Sequence, residues 1–331
     1  MAGLCGLWMI SGLFVDGWAH RNQKPETFFT PWHGLLYSGF IASALWMLWV
    51  LRSHQEPGVR WRETMPVGYG LRSIGVLVFG VGAIGDLIWH QVFGIEVNVE
   101  ALLSPTHLVL LTGGLLMAAG PVFSTMRRES NDPGPTWSSS GPIVATVAFV
   151  LSLLQFFLMY ASPYDYGKYD SDYSEAVSQS GWLANEVLTD GIASALLFSL
   201  LVSVALNFVV RSIRPPRGTF LMLMFVPALL QTVLNSFETA PRLLGPALAA
   251  VLAEVTWRWV RPVLGSTVIV ASWIAALTLV TNFGILAGVS LQDSVTWSVH
   301  AWTGLPFLCA LFAGLLSVVF GVNATTAAAR R

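Results

Sequence analysis

Long apolar runs alternate with short polar segments along almost the whole chain, and each run is about as long as a membrane-spanning helix. A helix needs about 20 predominantly apolar residues to cross the hydrocarbon core of a bilayer. We therefore expect an all-α, polytopic membrane helix bundle with about ten transmembrane helices. The predicted spans are 3–19, 32–51, 71–92, 105–125, 142–161, 191–210, 218–236, 244–258, 264–288 and 301–321.

Arginine and lysine residues are concentrated in the segments that follow the even-numbered spans. All but four of the 17 basic residues lie there, and the exceptions are Arg21, Lys24, Lys168 and Arg242. Because positive charge is retained on the cytoplasmic side of a membrane, this asymmetry predicts cytoplasmic termini and five serial hairpins that cross out and back. We expect the protein in the cytoplasmic (inner) membrane, with the odd-numbered connections facing the periplasm or the outside.

The composition agrees with a protein that is embedded in lipid. Of the 331 residues, 54% are hydrophobic and 11% are charged, whereas soluble domains carry about 25% charged residues. The formal net charge is −1, which offers no basic surface for nucleic acid. The lipid bilayer is thus the first expected partner, and no nucleic-acid partner is expected.

Residues that can bind metal ions occur at the ends of the first four spans, in a pattern that is used twice. Each copy reads D-x3-H, then a connection, then E-x6-H. Its members are Asp16, His20, Glu26 and His33 in the first copy and Asp86, His90, Glu100 and His107 in the second. Ionisable residues beside long apolar runs are costly and mark functional sites by default.

The spacing places three of the four residues of each copy close together. Residues four apart share one face of a helix, so the Asp and first His of each copy point the same way. The second His follows the phrases T-P-W-H and S-P-T-H, in which Thr30 or Ser104 is the predicted N-cap and the proline opens the returning helix. Each hairpin is therefore predicted to assemble two imidazoles and one carboxylate.

Such a ligand set suits copper, zinc or iron(II), and three protein ligands leave a position open for a reactant. The predicted ligands are Asp16, His20 and His33 in one site and Asp86, His90 and His107 in the other. Glu26 and Glu100 have three alternative roles: they bind the metal, orient a histidine, or cap the returning helix.

Two further features lie in the second part of the chain, 127–331, which we predict to be an additional transmembrane bundle beyond the metal-site region 1–126. Asp293 and His300 repeat the acid-x6-His spacing and are candidate extra ligands or outer neighbours of a site. The similar spacing of the later hairpins is also what a constant bilayer thickness would impose. The segment 162–190 is acidic and tyrosine-rich, and we expect a solvated cap there, or a surface that attracts cations or a basic partner.

The residues of the two motifs resemble an integral-membrane subunit of the copper membrane monooxygenases, the particulate methane and ammonia monooxygenases. The resemblance covers roughly residues 10–120 and rests on Asp16, His20 and the phrase F-T-P-W-H at 29–33, followed one hairpin later by Asp86, His90 and His107. The family tends to have Asn where this chain has Asp86, so the chain looks like a distant relative.

The resemblance implies a copper-dependent oxidoreductase, or a component of one. It also implies an oligomer with other membrane proteins, or a periplasmic copper or electron-transfer protein as partner. The alternative hypothesis is a stand-alone metal-handling protein that binds, delivers or takes up copper or zinc without oxygen chemistry. Few polar residues lie deep in the predicted spans, Asn207, Asn235 and Asn282 among them, which favours binding over transport.

Overall fold

The computed structural model describes residues 2–24, 29–94, 99–126, 136–165, 168–169, 171–263, 265–292 and 295–329. Within these ranges the chain is helical, with no strand. The all-α prediction is therefore confirmed. Contacts divide the chain into two compact units, Met1–Phe157 and Leu158–Arg331.

Within the described residues, the first unit contains seven helices. They are α1 (Ala2–Arg21), α2 (Pro31–Ser53), α3 (Trp61–Thr64), α4 (Tyr69–Phe93), α5 (Val99–Leu103), α6 (Pro105–Met126) and α7 (Trp137–Phe157). Proline opens α2 and α6 at the first helical position, where its missing N–H is not needed. Gly94 ends α4 in a conformation with φ of 83°, which a glycine adopts without steric cost. The first four predicted spans each lie in one long helix, whereas the fifth, 142–161, extends beyond the end of α7 at Phe157.

The part of the second unit that the structure describes contains six α-helices. They are α8 (Ser171–Gln179), α9 (Gly181–Ser212), α10 (Val226–Leu234), α11 (Leu244–Val260), α12 (Thr267–Gln292) and α13 (Val299–Ala329). The predicted sixth span, 191–210, lies within α9, which begins earlier, where Ser180 caps it by accepting a hydrogen bond from the Leu183 N–H at 3.1 Å. The predicted seventh span is a π-helical turn, Leu221–Phe225, followed by α10.

Seven helices of the described residues are long and apolar enough to cross a membrane. They are Pro31–Ser53, Tyr69–Phe93, Trp137–Phe157, Gly181–Ser212, Ala240–Val263, Thr267–Gln292 and Val299–Val322. Two shorter apolar helices are Pro105–Gly120 and Leu221–Leu234. The chain thus has the features of a membrane protein, while the number of ten spans, the serial hairpins and the orientation of the termini stay predictions.

Glycines let the helices of the first unit approach closely in pairs. A Cβ on Gly12 of α1 would lie 2.6 Å from the Leu36 nitrogen of α2, and a Cβ on Gly113 of α6 would lie 2.6 Å from the Phe79 nitrogen of α4. Both distances are too short for any side chain, so these crossings require glycine. Helices α1 with α2, and α4 with α6, therefore form two tightly packed pairs.

The acidic, tyrosine-rich segment is buried only in part: most of the described residues of 175–190 are exposed, whereas two tyrosines near its start are buried. Tyr164 and Tyr169 are buried in a core cluster with Phe198 and Trp297. Arg242 supports them: its guanidinium donates to the Pro163 carbonyl at 3.1 Å and lies 5.7 Å from the centre of the Tyr169 ring. Burial of these aromatic rings helps to hold this part of the segment against the helices, although acidic residues are close by in the sequence.

Candidate metal centres

The first hairpin brings three predicted ligands together. Asp16 and His20 stand one turn apart on α1, and His33 lies in the first turn of α2. The Nε2 atoms of His20 and His33 lie 3.6 Å and 3.5 Å from the two oxygens of Asp16. Asp16 and His33 are buried, so the group lies inside the end of the helix pair.

The second hairpin repeats this arrangement. Asp86 and His90 stand one turn apart on α4, and His107 lies in the first turn of α6. The Nε2 atoms of His90 and His107 lie 3.5 Å and 3.3 Å from the two oxygens of Asp86. Asp86 is 2% exposed.

These spacings fit a shared metal ion better than direct hydrogen bonds. An N–H···O bond normally measures about 2.7–3.2 Å, and all four carboxylate–imidazole distances are longer. Two donor atoms that bind one ion at about 2.0–2.2 Å and at a tetrahedral angle lie about 3.3–3.6 Å apart. The donor atoms of each group lie within 4.8 Å of one another, so each group could hold one ion.

The other ring nitrogen of three histidines is held by the surrounding chain. His33 Nδ1 lies 2.8 Å from the Thr30 hydroxyl, and His107 Nδ1 lies 2.8 Å from the Ser104 hydroxyl and also contacts the Ala101 carbonyl. His90 Nδ1 lies 3.2 Å from the Gly94 carbonyl. A proton on Nδ1 directs the Nε2 lone pair toward the carboxylate, which is how metal-binding histidines are usually oriented.

The two carboxylates differ in their neighbours. Asp86 Oδ1 accepts a hydrogen bond from the Thr106 hydroxyl at 2.9 Å, and Oδ2 accepts one from the Tyr37 hydroxyl at 3.5 Å. Asp16 Oδ1 is buried and accepts no hydrogen bond from the residues that the structure describes. A buried acceptor without a donor costs free energy, and a cation beside Asp16 would remove that cost.

Tyr37 connects the two groups. Its ring is stacked on His33, with centroids 6.3 Å apart and planes 11° apart, while its hydroxyl reaches Asp86. One side chain on α2 thus contacts a ligand of each group. The second copy of the motif has Leu111 at the corresponding position, four residues after His107. The second copy therefore lacks a tyrosine that could contact the first group in the same way.

The four additional candidates do not join these groups where the structure describes them. Glu100 is exposed on α5, and the neighbouring Ala101 carbonyl contacts His107 instead. His300 is exposed at the start of α13 in the second unit. Glu26 and Asp293 lie outside the described residues, and their roles stay predictions.

Tyr37 and Thr106 are site residues that the sequence does not predict, and Thr30 has a role other than the predicted one. Thr30 does precede α2 as its N-cap residue, but its side chain makes no cap hydrogen bond and contacts the imidazole instead. The signal for this role is the Thr/Ser residue three positions before each second histidine. Tyr37 offers no signal, because its partner Asp86 is 49 residues away in the chain.

Comparison with known proteins gives no family assignment. No family model, no curated protein and no solved structure matches the chain. The site is therefore defined by its own geometry: two buried carboxylates, each with two imidazoles close to it.

Proposed function

We propose that the chain is a membrane copper protein with two Asp/His/His sites, and that it acts as a copper-dependent monooxygenase or as a component of one. The observation that carries the proposal is the recurrence of one three-ligand geometry in two hairpins of the same unit. A chance cluster of polar side chains would not repeat both the donor spacing and the hydroxyl that holds the second histidine.

Copper is favoured over zinc and iron by the chemistry of the donors. Imidazole nitrogen with carboxylate oxygen is suitable for copper, zinc and iron(II), and among divalent ions the general order of affinity peaks at copper. When bound, copper would supply one-electron chemistry with oxygen. The resemblance of Asp16, His20 and the F-T-P-W-H phrase to the copper membrane monooxygenases supports the same ion.

The residues of the chain would hold the ions and exclude water from part of their surroundings. Each carboxylate would compensate ionic charge in a buried position, and the Nδ1 contacts of His33, His90 and His107 fix three of the four imidazoles. Large apolar side chains are exposed close to the sites in the sequence, including Phe29, Phe93 and Leu103. In a bilayer these side chains would face lipid, where small apolar substrates concentrate.

The placement in the membrane is part of the proposal. Ten spans arranged as five hairpins with cytoplasmic termini would put both sites on the periplasmic or outer face of the cytoplasmic membrane. The basic residues that follow the even-numbered spans support this orientation. An oligomer with other membrane proteins, or a periplasmic copper or electron-transfer protein, would supply electrons.

Metal handling without oxygen chemistry is the alternative, and uptake would require a polar path through the bundle. The deep asparagines of the second unit have structural partners instead. Asn207 donates to the Ser203 carbonyl, Asn235 to the Tyr164 carbonyl and Asn282 to the Ser199 hydroxyl, each at 2.9 Å. The Asn235 and Asn282 bonds join separate segments of the chain, and the Asn207 bond lies within α9; all three occupy the amides structurally, which favours binding over transport.

The proposed activity is tested by oxygen-dependent oxidation of a small apolar molecule by copper-loaded protein in nanodiscs with a reductant. Wild type and His54→Ala should turn over, because His54 lies in a separate loop, whereas the double variant His20→Ala/His90→Ala should not. A copper signal in electron paramagnetic resonance without turnover under any reductant would contradict oxygenase activity. Uptake of copper into wild-type proteoliposomes that is lost in His20→Ala would establish the alternative.

A further inference from the structure

A second buried polar feature lies far from the metal centres. Arg72 is in the first turn of α4, 14 residues before Asp86, which corresponds to about 21 Å along a helix. By its place in the sequence Arg72 is one of the basic residues that follow the second span, but the side chain is only 5% exposed. Its stem packs on α6, since a Cβ on Gly120 would meet Arg72 Cβ at 3.3 Å.

Among the described residues, the Arg72 guanidinium has no carboxylate partner. Its Nε is buried and makes no hydrogen bond with the described residues, and none of them forms an ion pair with Arg72. The groups that act on it electrostatically are Tyr69 and Cys5, and neither of them is a carboxylate. Arginine cannot lose its proton in a protein, so the described residues leave a positive charge uncompensated inside a helix bundle.

A cavity of about 30 Å³ lies against this charge. Its walls include Met9, Met117 and Phe149, and its polar lining besides Arg72 includes the hydroxyl-bearing residues Ser43 and Thr146. The Thr146 hydroxyl already donates to the Pro142 carbonyl at 2.8 Å, so Ser43 is the hydroxyl able to donate into the cavity. One water needs about 10–15 Å³ by this measure, so the space fits one small ion or about two waters.

We propose that this cavity is a binding site for a small monovalent anion of the size of chloride. Arg72 supplies the compensating charge, the Ser43 hydroxyl supplies a hydrogen bond, and mainly apolar residues line the rest of the cavity. Charged residues inside membrane bundles are normally paired, and an anion from solution would provide the missing partner. The cavity is too small for a substituted phosphate such as a lipid headgroup. This anion site is independent of the metal sites.

The test is the thermal unfolding midpoint of the full chain in detergent, with sodium chloride exchanged for sodium gluconate at constant ionic strength. Gluconate is too large for the cavity. Wild type should be stabilised by chloride in a saturable manner. The control Arg52→Met, which removes an exposed arginine in the last turn of α2, should keep the chloride effect, and Arg72→Met should lose it.

A wild-type midpoint that is equal in chloride and gluconate would overturn the proposal and indicate that water fills the cavity. An equal chloride effect in wild type and Arg72→Met would also overturn it. If Arg72→Met does not fold, Ser43→Ala is the variant that tests the site. Its chloride affinity should fall roughly tenfold, because a hydrogen bond to a charged group is lost. Unchanged affinity in Ser43→Ala would contradict the site as described.

Discussion

At the scale of single residues, each candidate metal centre is held in place by side chains that are not among the candidate ligands. Thr30 and Ser104 hold the second histidine of their hairpins, and Thr106 holds the Asp86 carboxylate. Tyr37 touches one ligand in each centre. Loss of such outer partners typically weakens metal binding about 10–100-fold.

Thr30→Val should weaken copper binding at the first site by about 10–100-fold, because the hydroxyl that holds His33 Nδ1 is replaced by a methyl group of similar size. Thr30→Ser keeps the hydroxyl and should therefore bind copper with wild-type affinity. Ser104→Ala should have a smaller effect on the second site, since the Ala101 carbonyl still contacts His107. Competitive titration with a copper chelator measures all three, and equal affinity in Thr30→Val and wild type would refute the orienting role.

Thr106→Val should weaken the second site while leaving the first unchanged. The substitution removes the 2.9 Å hydrogen bond to Asp86 Oδ1 and keeps the shape of the side chain. Thr112→Val is the matched control, because this exposed threonine of the same helix donates to the Leu108 carbonyl away from the site. Equal loss of copper in both variants would show that the hydrogen bond to Asp86 has no specific role.

At the scale of helices, the repeat of the motif includes a glycine at which the paired helices pack closely. Gly12 and Gly82 each stand four residues before the aspartate, and each meets the leucine three residues after the second histidine, Leu36 or Leu110. The close approach of the backbones sets the separation at which an imidazole from one helix can reach the carboxylate of the other. The two helix pairs are therefore similar in this close contact as well as in the candidate ligands.

Gly12→Ala should separate α1 from α2 and weaken the first site. The new methyl group would lie 2.6 Å from the Leu36 nitrogen, and overpacking of this kind destabilises a protein by about 1–3 kcal/mol. Gly34→Ala is the control, since a Cβ there meets nothing within 4 Å. Thermal unfolding and copper affinity should both fall in Gly12→Ala; a fall in stability with intact copper affinity at the first site would contradict the link between packing and site.

At the scale of the whole molecule, the helices could be predicted from the sequence, because apolar runs of this length have few stable structures other than a helix. The D-x3-H pairs and the Pro–His phrases were also predictable, since both depend on local helical geometry. Contacts between distant segments were not. Tyr37 of α2 reaches Asp86 of α4. Tyr164 and Tyr169 are buried in a core cluster although acidic residues surround them in the sequence.

The buried tyrosines of the second unit should make the protein sensitive to alkali. Burial raises the pKa of Tyr164 and Tyr169 above the ordinary value of 10.0, so the folded chain keeps both phenols protonated where the unfolded chain would ionise them. Their contribution to stability is fully present below about pH 10 and falls as the pH rises further. Tyr169→Phe should therefore lose less stability between about pH 9 and pH 11 than wild type.

The partly exposed Tyr69 provides the control for this comparison. Tyr69→Phe should follow the wild-type decline of the unfolding midpoint with pH, measured alongside the phenolate absorbance. If the decline is as steep in Tyr169→Phe as in wild type, burial of this phenol does not contribute to the alkaline sensitivity.

The most direct test of the central claim is the copper content of purified protein with one site removed at a time. We predict one copper ion for each of the two groups in wild type and in the His54→Ala control. His20→Ala and His90→Ala should each lose one of these ions, and the double variant should lose both. Copper that is absent from wild type, or that is retained in the double variant, would contradict the account.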